Sequence, residues 1–438
     1  MNIKKYILLG EIMGIGGWQL YDDARVFYEK KLGYQVYIIG YRSFEEEVVK
    51  LDTLKKTNAL IRDEYSLPPY VFSNRQIKAI ISEVCEFIDY NIEDEIVVES
   101  TSIPYSLWGE LIAEKLNAHH FAYILHSHIE KKYQRMELQK FYEFKYRQGL
   151  LAGMATSTVR EMFVGYSSFT IKQDNWIPAS WGDPLTDDNS LLTEISLINE
   201  LKNIGFFAIG YFGTLNKPHF LKLCQDIQSY VEKHLDQKIL FVSIGSSKTG
   251  NSENEQNILP TKNDRIKTIN IPEMYPVPRN LFLALDCCIA SWGSSVVAAR
   301  SGVQTIRLEN DTDTVVQGIV GYGTLRKWPY STCESEHLSL EEAINRILKG
   351  GYYKSEEYVP PISTVDFIKA QENEQLFLNN AIERNEELLY YDVMKIKCEN
   401  RLEYGKKILY HFIGKDIGEK IRRFIRKVRN AKKGRING

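Results

Sequence analysis

The sequence predicts an α/β protein with two Rossmann-like, doubly wound domains in series and a helical extension at the C-terminal side. Three observations predict it. Strand-length apolar runs alternate with amphipathic helical patterns over the first 350 residues, a turn-rich stretch interrupts this alternation near residues 180–200, and helical patterns without strands follow residue 350. With 438 residues, the chain is long enough for two domains that each bury a core.

The first half contains alternating strand and helix patterns up to about residue 172. Helical patterns show apolar residues at three- and four-residue spacing, and strands are short, nearly uninterrupted apolar runs of the kind buried in parallel sheets. Strands are predicted at 5–9, 35–39, 95–99 and 121–125, and helices at 18–32, 74–90, 105–116 and 131–150.

The second half restarts the same alternation at residue 205. Strands are predicted at 205–212, 238–244, 266–269, 287–290 and 304–308, and helices at 218–234, 279–285, 294–300 and 340–348. We therefore predict domains at 1–185 and 205–350, a linker at 186–204 and a helical extension at 351–438.

Composition excludes several classes of protein. Hydrophobic residues make up 44% and charged residues 26%, which is ordinary for a globular protein and excludes collagen-like or disordered chains. No apolar run approaches the ~20 residues that cross a bilayer. The six cysteines form no C-x-x-C pair, so they are expected to be reduced thiols of a cytoplasmic protein. The apolar run at 6–9 is too short for a signal-peptide core.

The C-terminal tail differs in charge from the rest of the chain. Residues 415–438 carry ten basic and two acidic residues, whereas the whole chain has a net charge of −2. Within 415–435, apolar residues recur at helical spacing between lysines and arginines, a pattern typical of a helix that lies on an anionic membrane surface. A solvated helix docked on the body is the alternative. No basic motif on the body predicts a nucleic-acid partner.

Four stretches follow predicted strands and therefore lie at the carboxyl edges of the sheets, where open α/β sheets bind ligands. The glycines of 10–17 do not fit G-x-G-x-x-G, so this stretch is either a ligand loop or a tight turn. The stretch 244–250 lacks the P-loop pattern and is either a phosphate cradle or a surface loop. The serines of 291–295 either bind an anion or cap a helix. His126 and His128 either act on a sugar hydroxyl or are structural.

Taken in order, these motifs resemble the GT-B glycosyltransferases, and among them the bacterial group-1 enzymes that build capsule and O-antigen from nucleotide-sugars. A glycine-rich loop follows the first strand, and a later strand ends in His126. Residues 177–183 are similar to the I-P-N-G-V-D segment of the family, 209–217 to its G-R…K loop, and 286–303 to its donor-site strand and helix. The resemblance extends over about residues 1–350.

The resemblance implies two domains that face each other across a cleft, with the nucleotide-sugar on the C-terminal domain. It implies a glycosyltransferase without a metal ion or separate cofactor, acting on a glycan or lipid-linked acceptor at the inner face of the plasma membrane. His126 would be catalytic, and Gly16, Gly17 and His128 would lie on the acceptor side. The implied donor-binding residues are Gly213, Thr214, Lys217, Gly245, Ser246, Ser291, Gly293, Ser294, Ser295 and Glu309.

The sequence also departs from the family. The E-x7-E motif is missing, since its second glutamate would fall at Val297, and Thr214 stands where the family has arginine. These departures leave two alternatives: a non-catalytic subunit that partners another glycosyltransferase, or another polysaccharide-modifying enzyme such as an epimerase or pyruvyl transferase. The D-x-D at 311–313 is interpreted as an ordinary acidic loop.

Overall fold

The computed structural model divides the chain into two compact units. Unit 1 comprises Met1–Ser180 and Ala370–Gly438, and unit 2 comprises Trp181–Lys369. The structure describes residues 3–41, 49, 51–125, 134–154, 156–166, 169–171, 175, 177, 184–188, 191–215, 217–245, 263–310, 313–326, 333–349, 359, 367–385 and 387–396.

Unit 1 is built on a six-stranded parallel sheet. Its strands are β1 (Lys4–Leu9), β2 (Gln35–Gly40), β3 (Asn58–Ile61), β4 (Glu95–Ser100), β5 (His119–Ile124) and β6 (Leu151–Gly153). They lie in the order β3-β2-β1-β4-β5-β6, and every neighbouring pair is parallel. The strand order reverses between β1 and β4, which makes this the switch point of the sheet.

Helices connect these strands, as parallel pairing requires. They are α1 (Gly17–Lys31), α2 (Asp52–Lys55), α3 (Asn74–Phe87), α4 (Ile103–Leu116), α5 (Met136–Arg147) and α6 (Thr156–Met162). Helix α3 illustrates the local logic: Ser73 and Gln76 form a capping box at its start, and Ile77, Ile80 and Val84 form its buried face. Strands and helices enclose a hydrophobic core whose largest buried side chain is Trp108.

Unit 2 is built on a second six-stranded sheet, in the order β10-β9-β8-β12-β13-β14. Its strands are β8 (Phe207–Phe212), β9 (Ile239–Ile244), β10 (Ile266–Ile271), β12 (Cys287–Ser291), β13 (Thr305–Leu308) and β14 (Val316–Ile319); β7 (Leu185–Thr186) and β11 (Val277–Pro278) form a separate parallel pair. The first five strands of that order are parallel, and β14 is antiparallel to β13. Here the order reverses between β8 and β12.

The helices of unit 2 cover its sheet. They are α7 (Leu192–Asn203), α8 (Pro218–Lys233), α9 (Arg279–Ala284), α10 (Trp292–Arg300) and α11 (Leu340–Leu348). Helix α8 buries Phe220, Leu223 and Ile227 against one core, and α9 buries Leu281 and Phe282 in another. Helix α11 begins with a capping box.

Helix α12 (Phe367–Arg384) starts at the end of unit 2, and from Ala370 onward it belongs to unit 1. The described residues 387–396 that follow it pack on unit 1, where the backbone N–H of Tyr391 donates to Glu110 at 2.8 Å and Tyr390 donates to the Ala118 carbonyl at 3.1 Å. The described part of the predicted extension is therefore integral to unit 1.

The structure contains the strands and helices that the sequence predicts, and it differs at the boundaries. The boundary between the units falls at Ser180/Trp181, not at 185. The predicted linker 186–204 contains α7, which buries Ile198 in the same core of unit 2 as α9. The helix predicted at 131–150 begins at Met136, and 131–133 lie outside the described residues. Within the described residues, no helix is long and apolar enough to cross a membrane.

Candidate functional site

The switch point of unit 2 brings two predicted binding loops together. Because β8 and β12 are neighbouring parallel strands, the loops that follow them lie at the same edge of the sheet. Lys217 follows β8 and Ser291 ends β12, and the Nζ of Lys217 donates to the Oγ of Ser291 at 3.2 Å. A lysine ammonium and a serine hydroxyl are thus placed where open α/β sheets bind ligands.

Three hydrogen bonds hold the backbone of the loop between β8 and α8. The N–H of Gly213 donates to the Ile244 carbonyl at 3.1 Å, and the hydroxyl of Tyr211 donates to the Thr214 carbonyl at 3.2 Å. The N–H of Lys217, the N-cap residue of α8, donates to the Thr214 carbonyl at 3.3 Å. These bonds fix the backbone from which the Lys217 side chain extends toward Ser291.

Gly245, immediately after β9, is required to be glycine by two features. Its φ is +150°, which side-chain-bearing residues rarely adopt, and a Cβ atom there would lie 2.1 Å from the Gly213 carbonyl oxygen. The loops after β8 and β9 therefore approach each other backbone to backbone. The next residue, Ser246, lies outside the described residues.

The start of α10 contributes the remaining predicted donor residues. Ser291 is the N-cap residue, and its side chain caps no backbone N–H. Gly293 and Ser294 are half-buried in the first turn. Ser295 differs from our expectation of a phosphate-facing hydroxyl: it is fully buried, and its Oγ donates to the Trp292 carbonyl at 2.6 Å. Of the features that predicted an anion site in this loop, the first-turn N–H groups of α10 are left.

Glu309, just after β13, is engaged by its neighbours. Its carboxylate accepts a hydrogen bond from the hydroxyl of Ser335 and lies 2.7 Å from the Nδ1 of His337. The proposed contact of Glu309 with a ligand would therefore have to share this carboxylate.

Arg307 on β13 is a residue of this region that the sequence analysis missed. It is buried, and its Nη1 donates to the Trp292 carbonyl and to the Oγ of Ser295, both at 2.7 Å. Its position in the apolar strand gave no local signal, since only the fold brings β13 beside the start of α10.

On unit 1, the predicted acceptor-side glycines lie at the switch point of that sheet. Gly16 is the N-cap residue of α1 and Gly17 is its first residue. The indole N–H of Trp18 donates to the Leu125 carbonyl at 3.0 Å, so the start of α1 is tied to the end of β5. His126 and His128 follow directly and lie outside the described residues. The predicted catalytic and acceptor roles stay predictions.

Asp22, also missed by the sequence analysis, packs on the same loop. Its carboxyl group is fully buried and lies against Gly10, where a Cβ atom would be 2.0 Å from the nearer carboxyl oxygen. Burial raises the pKa of Asp22 well above its usual range, and the charges of Glu99 and Glu11 add to this shift. Burial therefore favours the neutral form of this carboxyl group.

Unit 1 also contains a Ser–His–Glu arrangement. The Oγ of Ser100 lies 2.9 Å from the Nε2 of His120, whose Nδ1 lies 2.8 Å from Glu110, and Lys145 pairs with the same carboxylate at 2.9 Å. Burial, followed by the charge of Lys145, lowers the pKa of His120 to about 4, so this imidazole is neutral at pH 7. Ser100, Glu110 and His120 are all buried, so no substrate reaches them; we interpret the arrangement as structural.

Metal and thiol chemistry receive no support from the described side chains. The described residues contain no group of three or more His, Cys, Asp or Glu placed to hold a metal ion. The five described cysteines form no disulfide. Burial raises the pKa of both Cys287 and Cys288, which disfavours the nucleophilic thiolate.

No protein-family model and no curated protein match this sequence. Solved structures do share its fold. The glycosyltransferase from Rickettsia africae aligns with a TM-score of 0.54 and 14% identity, over 88% of this chain and 100% of that chain. The catalytic domain of starch synthase IV from Arabidopsis thaliana, bound to ADP and acarbose, aligns with a TM-score of 0.50 and 11% identity, over 87% and 100%.

A third neighbour is the trehalose-6-phosphate protein from E. coli bound with UDP-2-fluoro glucose, with a TM-score of 0.50 and 10% identity, over 89% of this chain and 96% of that one. These likenesses concern the fold. The predicted class is confirmed: an α/β protein with two Rossmann-like units and the fold of GT-B glycosyltransferases.

Proposed function

We propose that this chain is a glycosyltransferase that moves a sugar from a nucleotide-sugar to a glycan or lipid-linked acceptor. The observation that carries the proposal is the Lys217–Ser291 contact of 3.2 Å at the switch point of unit 2. A cation, a hydroxyl and the N-termini of α8 and α10 meet at this edge, and such a set suits a diphosphate.

The fold neighbours support this choice of ligand. The starch synthase domain was solved with ADP and the E. coli protein with UDP-2-fluoro glucose, and both ligands contain a nucleoside diphosphate. The Rickettsia neighbour is itself named a glycosyltransferase. The donor contacts that we propose for Gly213, Thr214, Gly245, Gly293 and Ser294 all lie on the loops described above.

In the proposed reaction, negative charge develops on the leaving diphosphate. When the bond between the anomeric carbon and the diphosphate oxygen breaks, the electron pair stays on that oxygen, and the acceptor hydroxyl attacks the carbon and loses its proton. Groups aimed at developing charge accelerate such a step. The Lys217 ammonium and the N–H groups at the helix starts supply positive charge there, so we propose that no metal ion is needed.

The acceptor side is proposed on unit 1. Gly16 and Gly17 leave the backbone at the start of α1 accessible, and His126 and His128 follow the end of β5. In this proposal, His126 takes the proton of the acceptor hydroxyl, because a neutral imidazole is the usual base near pH 7. The basic segment 415–435 would bind anionic lipid at the inner face of the plasma membrane, near a lipid-linked acceptor of surface polysaccharide synthesis.

A non-catalytic subunit is the second candidate, and one observation favours it. Val297, at the position of the missing glutamate, packs against the core of unit 2. The apolar side chain of Val297 therefore takes part in packing, and the carboxylate that the E-x7-E motif would supply here is missing. This candidate predicts a protein that binds no nucleotide and forms a stable complex with a partner.

Ligand binding separates the two candidates. We would measure the thermal shift of the full chain with UDP, GDP, CMP, dTDP and their common sugars, with and without EDTA. A ligand at 100 times its Kd adds about 2.7 kcal/mol to the free energy of unfolding, which gives a clear shift. We expect one nucleotide to raise the Tm equally with and without EDTA.

Two lysine variants test the site itself. Charge-assisted hydrogen bonds contribute roughly 1.5–3 kcal/mol, so Lys217→Ala should weaken nucleotide binding by about 10- to 150-fold. The matched control is Lys222→Ala, because Lys222 is a half-exposed lysine of the following helix that pairs with Asp313. Equal affinity of the Lys217 and Lys222 variants would refute the site, and no binding of any nucleotide would favour the non-catalytic subunit.

A further inference from the structure

Trp292 has an unusual backbone conformation at the edge of the proposed donor site. It is the first residue of α10, immediately after Ser291, and its φ is +49°. Left-handed φ values favour glycine, and a bulky side chain in this region is an outlier. A glycine would make the same turn between β12 and α10 without strain, so the turn alone does not explain a tryptophan.

Contacts from the neighbouring strand hold Trp292 in place. Its carbonyl accepts hydrogen bonds from the Nη1 of Arg307 at 2.7 Å and from the Oγ of Ser295 at 2.6 Å. Arg307 is itself fixed, because its Nε donates to Gln317 at 2.7 Å. A buried arginine, only 4% exposed, therefore supports this one residue.

The indole of Trp292 is only partly buried. Its residue is 36% exposed, whereas Trp108 of unit 1 is fully buried. The guanidinium carbon of Arg307 lies 5.7 Å from the indole centroid, a cation–π distance that fixes the position of the ring. An orientated aromatic surface thus remains open to solvent one residue away from the serine that contacts Lys217.

We propose that the indole of Trp292 is a stacking surface for a ring that the bound diphosphate carries, either the nucleobase or the sugar. The inference rests on the proposed function, since it needs a diphosphate at Lys217 and Ser291. Both rings are attached to that diphosphate, and aromatic side chains stack on nucleobases and on apolar sugar faces. Trp292 then adds affinity that the diphosphate contacts alone do not provide.

Two substitutions at one position test the proposal. Trp292→Gly removes the indole and suits the positive φ, so the variant should fold. Trp292→Phe keeps a smaller aromatic face. Calorimetric titration of the full chain would give the Kd of inorganic pyrophosphate, of UDP and GDP, and of UDP-glucose and GDP-mannose, for both variants and the unchanged protein.

We expect Trp292→Gly to weaken the binding of ring-bearing ligands at least fivefold, with pyrophosphate binding unchanged, and Trp292→Phe to restore most of the affinity. A loss for the nucleoside diphosphates identifies the nucleobase as the stacked ring, and a loss confined to the nucleotide-sugars identifies the sugar.

Two results overturn the stacking inference while the proposed function survives: unchanged affinities for every ligand, or an equal loss that includes pyrophosphate, which would mean a distorted diphosphate site. If the unchanged protein binds none of these probes, the proposed function fails, and the stacking inference fails with it. The Tm of each variant, measured without ligand, shows that the fold is intact.

Discussion

Arg25 lies at the centre of a buried polar network in unit 1, and its removal should be costly. It is fully buried on α1, 3.1 Å from the carboxylate of Glu99 on β4 and 2.9 Å from that of Glu29. It also donates to Gln375 at 3.0 Å and to Gln371 at 3.3 Å, both on α12. The guanidinium therefore joins the sheet, α1 and the helix that returns from the end of unit 2.

The burial of Arg25 determines how much its removal lowers the free energy of unfolding. In Arg25→Met the volume is nearly kept, but the fully buried carboxylates of Glu29 and Glu99 lose their cation. Removing one partner of a buried ion pair costs about 3–5 kcal/mol. For domains of 150–250 residues each kcal/mol lowers the Tm by roughly 2–4 °C, so the unit 1 transition should fall by about 6–20 °C.

The matched control is Arg147→Met. Arg147 pairs with Glu143 at 2.6 Å within α5, but its side chain is 65% exposed. Exposed pairs contribute about 0.2–1 kcal/mol, so this variant should change the Tm little. We would record thermal unfolding of both variants and hydrogen exchange of α12, which should become faster in Arg25→Met. Equal melting of the two variants, with unchanged exchange in α12, would refute the reasoning.

Two further predictions concern pH and the donor loops. Burial raises the pKa of Glu374 to about 8, although the charge of Arg25 opposes this shift. The protonated Glu374 side chain therefore stabilises the folded state fully below the unfolded pKa near 4.5, and this stabilisation is lost as the pH rises to about 8. Glutamine does not titrate, so Glu374→Gln should gain stability relative to the unchanged protein by up to about 1.4 kcal/mol for each pH unit in this window. Urea unfolding from pH 5 to 9 measures the difference in the free energy of unfolding between the two proteins. A difference that stays constant with pH would contradict the prediction. Gly245→Ala should destabilise unit 2 by about 1–3 kcal/mol and weaken nucleotide binding, because its Cβ meets the Gly213 carbonyl. Gly205→Ala, with φ +93° and open space around it, is the control for backbone strain alone, and equal losses would show that the close approach to Gly213 is unimportant.

The sequence predicts the central strands well because each is a short apolar run between turn signals. It misses β3, β6 and β14, which are three or four residues long. Strands of that length have no measurable period, and all three lie at the edges of their sheets. Strand β14 also contains a polar residue, Gln317. A local sequence pattern also cannot predict that residues 370–396 pack on unit 1. That packing depends on contacts between residues far apart in sequence, such as the hydrogen bond from Tyr21 of α1 to Glu374 of α12.

The candidate site shows the same division between local and long-range information. The sequence places Gly213, Lys217, Gly245 and Ser291 at one edge of the sheet, because each lies at or just after the end of a recognisable strand and parallel strands end at a common edge. The sequence does not show that the Ser295 hydroxyl faces away from a ligand. This hydroxyl donates to the carbonyl of Trp292, and the positive φ of Trp292 cannot be predicted from a run of small residues.

Thr214 marks the departure from the family's arginine, and the structure gives it a physical basis. What the β8 loop uses at this position is the carbonyl, which accepts from Tyr211 and from the N–H of Lys217. Because the side chain is not needed for that backbone geometry, it can vary without changing the loop. The lysine of the same G-R…K pattern is present as Lys217, three residues later, and its ammonium reaches Ser291 on the neighbouring strand. We therefore infer that the loop keeps the lysine of the G-R…K pattern and lacks only its arginine, which leaves a diphosphate site possible, so Thr214 by itself is not an argument against a donor in unit 2.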